Sequence, residues 1–130
     1  MTAQQSRRIL LAEDDARARE ISALVLQTEG YSVSMASNGT EALEMLILDP
    51  AVEMLVSDIN MPGGIDGIEL ARRVQQSVAP LRIILLSAYP QDSFTDFPDN
   101  VAFLSKPYDR RALLNAVGTS FRMPEDDPIN

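Results

Sequence analysis

Five times along this 130-residue chain a short apolar run gives way to a longer stretch whose apolar residues recur with helical spacing. The runs are RILLA (8–12), YSVSMA (31–36), MLVS (54–57), RIILL (82–86) and VAFLS (101–105). The second alternates like a half-buried strand, and the others are continuous. A strand that is apolar on both faces has to be covered on both faces, as in a parallel sheet with helices above and below it. The pattern predicts a doubly wound (βα)5 α/β fold around a five-stranded parallel sheet. A chain of 130 residues supplies one compact domain with a core but not two. No linker interrupts the alternation, so residues 1–130 read as a single domain with its core over about 8–121.

The stretches between runs carry their own boundary signals. Ile21, Leu24, Val25 and Thr28 fall at i, i+3, i+4 and i+7 and predict the buried stripe of a first helix that stops at Gly30. Asn38 with Glu41, and Asp66 with Glu69, have the spacing of helix-start capping boxes. Ala42, Met45 and Leu46 then line one helix as far as Asp49-Pro50, and Leu70, Val74 and Val78 line the next as far as Pro80. Asp109 is placed to cap a last helix containing Leu113, Ala116 and Val117. Residues 89–100 (YPQDSFTDFPDN) are weakly patterned and hold two prolines, so a helix there is short. Residues 122–130 are polar and proline-broken and read as a loose tail.

Composition excludes several kinds of chemistry. Cysteine and histidine are both absent. Disulfides, thiolate metal sites, imidazole bases and His-ligated zinc are therefore ruled out. Nineteen acidic residues against 11 basic ones give a net charge of −8, a surface that repels phosphate backbones. Basic residues pair only briefly, at Arg7-Arg8 and Arg72-Arg73, so nucleic acid is not an expected partner. No apolar run approaches the ~18 residues of a membrane span. The start, MTAQQSRR, lacks a secretory apolar core. Together these predict a cytoplasmic protein without a membrane partner.

In a parallel sheet every strand points the same way, and ligands bind along the edge where the carboxyl ends gather. Four runs end there in polar side chains: Glu13-Asp14, Asp58, Ser87 and Lys106. Singly, each has a plain explanation: Asp14 or Asp15 as a helix cap, Asp58 as a turn residue, Ser87 as a loop hydroxyl, Lys106 as a solvated charge. Converging from four segments, they make a site. Asp14, Asp58 and Glu13 supply hard oxygen ligands too few to enclose an ion, which suits Mg²⁺ sharing a phosphate oxygen. Lys106 is a point cation for a phosphoryl oxygen, and Ser87 is a donor to another. A carboxylate beside such a cation can attack phosphorus and become an aspartyl phosphate.

With these pieces in order, ILLAEDD (9–15), VSDINMPGGIDG (56–67), IILLSAY (83–89) and FLSKPYD (103–109), the chain resembles the receiver domains of two-component response regulators. The resemblance runs from about Arg8 to Phe121. It implies a flavodoxin-like sheet of order 2-1-3-4-5. By position it implies Asp58 as phosphoacceptor, Asp14 as a direct metal ligand and Glu13 as a ligand through water. The backbone carbonyl of Asn60 would be a third protein ligand. Ser87 and Lys106 would contact the phosphoryl group, Lys106–Pro107 would be a cis peptide, and Phe103 would be a rotating switch aromatic.

The implied cycle begins with a histidine kinase or phosphotransfer protein presenting phosphohistidine to Asp58. Ser87 then moves toward the phosphoryl group and Phe103 turns inward. The surface of the fourth helix, fifth strand and fifth helix repacks, and a downstream protein reads it. The expectation is a module with no attached output domain that is not an enzyme beyond its own phosphorylation and dephosphorylation.

Departures from the family pattern are specific. Met61-Pro62-Gly63-Gly64-Ile65-Asp66-Gly67 holds one extra residue, which two glycines can absorb with φ > 0. Ser87 stands for the commoner Thr, Phe103 for the commoner Tyr, and Tyr89 overhangs the site. Two other readings compete: a phosphohydrolase with an aspartyl nucleophile, and a receiver that only binds. The first lacks a proton-transferring acid two residues past Asp58, where Asn60 stands. The face of the final helix offers a possible homodimer contact, although Leu113, Ala116 and Val117 serve more simply as core.

Overall fold

The computed structural model describes residues 7–78 and 80–123. The tail expected over 122–130 lies outside them from residue 124 onward. In chain order the elements are β1 (Arg8–Ala12), α1 (Ala16–Thr28), β2 (Ser32–Ala36), α2 (Gly39–Leu48), β3 (Met54–Asp58), α3 (Gly67–Ser77), β4 (Arg82–Ser87), β5 (Ala102–Ser105) and α4 (Arg110–Arg122). All strand pairs are parallel and the order is β2-β1-β3-β4-β5.

Strand alternation divides the core into two layers. Leu10, Ala12, Leu55, Ile83 and Leu85 face α2 and α3, where they meet Ala42, Leu46, Leu70 and Val74. Ile9, Leu11, Val56, Ile84 and Leu86 face α1 and α4, where they meet Ala23, Leu26, Leu113, Val117 and Phe121. Both faces of β1, β3 and β4 are thus covered, which is why their sequences read as unbroken apolar runs. β2 is an edge strand with only Ala36 fully buried, in keeping with its alternation. Leu113 and Val117 lie in the core, with Ala116 packed against it, so none of the three offers a free face to a second copy.

The helix starts expected from the sequence form. Asn38 Oδ1 accepts from Glu41 N–H at 2.8 Å, while Glu41 Oε1 reaches back to Ser37 N–H at 2.7 Å. Asp66 caps α3 through Glu69 N–H, and Asp109 caps α4 through Ala112 N–H.

Two expectations change. The first concerns the face of α1. Ile21 and Leu24 are 58% and 61% exposed, and the helix buries Ser22, Ala23 and Leu26 instead. Burial of one Ile or Leu is worth about 1.5–3 kcal/mol, so turning two of them outward needs an offsetting reason. The face that turns inward carries Ala23 and Leu26, with Val25 packed beside them, and the hydroxyl of Ser22 on that face is hydrogen-bonded at 2.9 Å to the phenol oxygen of Tyr108.

The second concerns the fourth connection. Between β4 and β5 there is a single 3-10 turn, Gln91–Ser93, followed by irregular chain. The surface expected from a fourth helix is therefore absent. Phe94, Phe97 and Val101, half-buried, still pack against the core. Arg72 Nη2 and Gln75 Nε2 of α3 hold the segment through the carbonyls of Asp96 and Asp99, at 3.3 and 2.9 Å.

Candidate functional site

Register brings the strand ends level. Ala12 lies opposite both Ala36 and Ser57, Asp58 opposite Leu86, and Ser87 opposite Ser105. The residues that follow each strand therefore share one edge of the sheet. At the β1 end, Asp15 is the helix cap: its Oδ1 accepts from the N–H groups of Arg17 and Ala18 at 2.9 and 3.1 Å. That division of labour leaves Asp14 free of capping, exposed beside the buried Glu13. Glu13 is fixed through its backbone, with its N–H on Ala36 O at 3.1 Å and its carbonyl accepting from Arg19 Nη1 at 2.7 Å.

Asp58 ends β3 in a cleft where it is only 3% exposed, as is Glu13. Gly67 abuts it: a Cβ there would fall on the backbone of Asp58 and Ile59. The extra residue of the adjoining loop is accommodated as expected, with Gly63 at φ 83°. Met61 and Ile65 anchor that loop to the core. From β5 comes Lys106, its N–H donating to Ser87 O at 2.8 Å and its bond to Pro107 cis, as expected.

The side chains of Glu13, Asp14, Asp58 and Lys106 come together here. Lys106 Nζ stands 2.6 Å from Asp58 Oδ1 and 3.2 Å from Glu13 Oε1. Its approach to Asp58 is an ion pair outside hydrogen-bonding geometry, so this buried oxygen retains free acceptor capacity. Burial, followed by the adjacent Glu13 carboxyl, pushes the Asp58 pKa up to about 7, and Lys106 only partly offsets them. Burial acts on Glu13 as well. There it is outweighed by hydrogen bonds from Asp58 and the Asp15 N–H and by Lys106, and the Glu13 pKa is lowered. Burial opposes the Lys106 ammonium, but Asp58 and Glu13 prevail and its pKa is raised.

Glu13, Asp14 and Asp58 each offer a carboxylate oxygen, and these atoms lie within 4.8 Å of one another. A buried carboxylate oxygen without a hydrogen-bond partner, beside two more carboxylates, fits a hard divalent cation. Asn60 is exposed two residues beyond Asp58. Ser87 is buried, and its Oγ accepts from Tyr89 N–H at 3.0 Å. Tyr89 itself is exposed. Phe103 is half-buried, edge-on to Phe97 with ring centres 5.9 Å apart. The contacts of Arg19, Ser22 and Tyr108 were not among the sequence-predicted site residues.

The family model of the response regulator receiver domain matches residues 9–118. The chain belongs to this family. Among its relatives is the response regulator receiver protein CpdR of Brucella abortus, 38% identical over 85% of this chain and 93% of that protein. The sensor kinase CckA of Brucella abortus is 34% identical over 84% of this chain, which spans 12% of the kinase. Among solved structures, the response regulator TrrA of Thermotoga maritima, in complex with Mg²⁺ and BeF, superposes with a TM-score of 0.78. It is 32% identical, with 88% of this chain and 98% of that one covered. The acidic cluster thus sits in a receiver domain of the two-component type, with the sheet order its sequence implied. Among the described residues no helix is long and apolar enough to cross a membrane.

Proposed function

We propose that this receiver takes a phosphoryl group onto Asp58 from the phosphohistidine of a histidine kinase or phosphotransfer protein. It then signals to a protein partner by changing conformation. One observation carries the reading: a nearly buried carboxylate, flanked by two more and held 2.6 Å from an ammonium, lies at the carboxyl edge of a parallel sheet. An Asp58 oxygen attacks phosphorus in line. The new O–P bond forms as the N–P bond breaks, and the electron pair goes to the imidazole nitrogen. Lys106 offsets charge on the phosphoryl oxygens, and Ser87 Oγ, now an acceptor from Tyr89 N–H, becomes a donor to one of them.

Glu13, Asp14, Asp58 and the Asn60 carbonyl would hold Mg²⁺, which when bound supplies charge neutralisation at the transferring group. Phe103 couples the site to the irregular 91–101 stretch through Phe97. That stretch is the surface through which the phosphorylated state is read.

The test is phosphoryl uptake from acetyl phosphate with Mg²⁺, followed by intact-protein mass. One phosphoryl group is expected on the native chain and none on Asp58→Asn. Uptake that persists in Asp58→Asn refutes the assignment.

A further inference from the structure

Lys106 is the chain's only lysine, and its ammonium is held between two carboxylates. A long flexible stem does not place a charge by itself; what places it is the backbone it grows from. Lys106 and Tyr108 are separated by one residue, Pro107, whose ring fixes φ, so the three form a short stiff unit. Tyr108 packs in the layer between the sheet, α1 and α4, and its phenol oxygen is hydrogen-bonded at 2.9 Å to Ser22 on α1. One turn earlier on the same helix, Arg19 donates at 2.7 Å to the carbonyl of Glu13, the other residue that touches the ammonium.

We propose that Ser22 and Tyr108 are positioning residues: with Arg19 they make α1 a brace that sets Lys106 against Glu13 and Asp58. Ser22 is buried on this helix while Ile21 and Leu24 are exposed, so the tie lies on the helix's inner face. Its functional consequence rests on Asp58 being the phosphoacceptor.

The test is the rate of phosphoryl uptake from acetyl phosphate at saturating Mg²⁺ in Tyr108→Phe, Ser22→Ala and the double variant, each also carrying Lys106→Ala. Loss of one hydrogen bond predicts that each single change slows uptake by about three- to tenfold. The double variant is then no slower than either single one, because the two hydroxyls act through one bond. None of the changes slows uptake further once Lys106 is alanine. Ser22→Ala is expected to lower the melting temperature only slightly, because the better helix propensity of alanine offsets part of the lost hydrogen bond.

Single-variant rates within twofold of the native one overturn the proposal. So do effects that multiply in the double variant, slowing that persists in Lys106→Ala, or slowing matched by a loss of folded protein. With one lysine, a ¹⁵Nζ-labelled chain gives one side-chain ammonium signal. In the metal-free protein it is expected to shift in Tyr108→Phe, and an unmoved signal also overturns the brace. This second measurement needs no phosphorylation, so a native chain that takes up no phosphoryl group sinks the phosphoacceptor assignment and leaves the brace to be decided by the spectrum.

Discussion

Metal-free, this receiver carries a stability burden at Asp58 that can be measured. Its carboxyl is pushed from an ordinary 3.8 up to about 7, first by burial and then by Glu13. The folded state therefore binds the proton more tightly than the unfolded chain. Between pH 4 and 7 the native form holds more protons, so stability falls as pH rises through that window. Taken in full, the displacement corresponds to about 4 kcal/mol. Solvent at the mouth of the cleft screens the buried charge and reduces the expected loss to about 1–3 kcal/mol.

Asp58→Asn removes the charge while keeping the shape. In chelator at pH 8 the variant is expected to be more stable than the native protein by that margin. Its stability is also expected to change less between pH 5 and 8. Saturating Mg²⁺ narrows or reverses the gap, because the native site gains by mass action and the variant has lost a ligand. Urea denaturation followed by circular dichroism, with chelator or with Mg²⁺, reads all of these. A variant no more stable than the native protein at pH 8 in chelator, or one with an unchanged pH slope, refutes the reasoning.

Other outcomes follow from single contacts. Lys106→Ala removes the cation facing both Asp58 and Glu13, and uptake from acetyl phosphate is expected to slow by about 100-fold. Asp15→Ala deletes the α1 cap at a cost of about 1 kcal/mol in urea denaturation but leaves Mg²⁺ binding nearly unchanged. Asp14→Ala is expected to do the opposite, weakening Mg²⁺ binding by titration calorimetry with little change in stability. Gly67→Ala drives a methyl into the Asp58 and Ile59 backbone, and a loss of about 1–3 kcal/mol is expected by thermal unfolding.

What the sequence disclosed depended on how local the cause was. Runs such as RIILL announce a strand covered on both sides, and polar residues closing those runs announce the site edge, because both follow from burial within a few residues. Whether Asp14 or Asp15 caps α1 is undecided by residue type, since both are aspartate. Only backbone geometry assigns the cap to Asp15. The face of α1 was misread because apolar spacing favoured Ile21 and Leu24. The residue that Ser22 meets on the inner face, Tyr108, lies 86 residues away and leaves no periodic trace. In residues 89–100 the two prolines warned of a short helix, but Phe94 and Phe97 gave no sign that they would pack against the core without one.

The connection between β4 and β5 stays in place by other means than a helical ladder. Two side chains of α3 grip two of its carbonyls, and one aromatic edge leans on Phe103. A helix in that place would have to slide or melt as a unit. This strap is instead held by separate fastenings, each of which can be removed alone by substituting Arg72, Gln75 or Phe97.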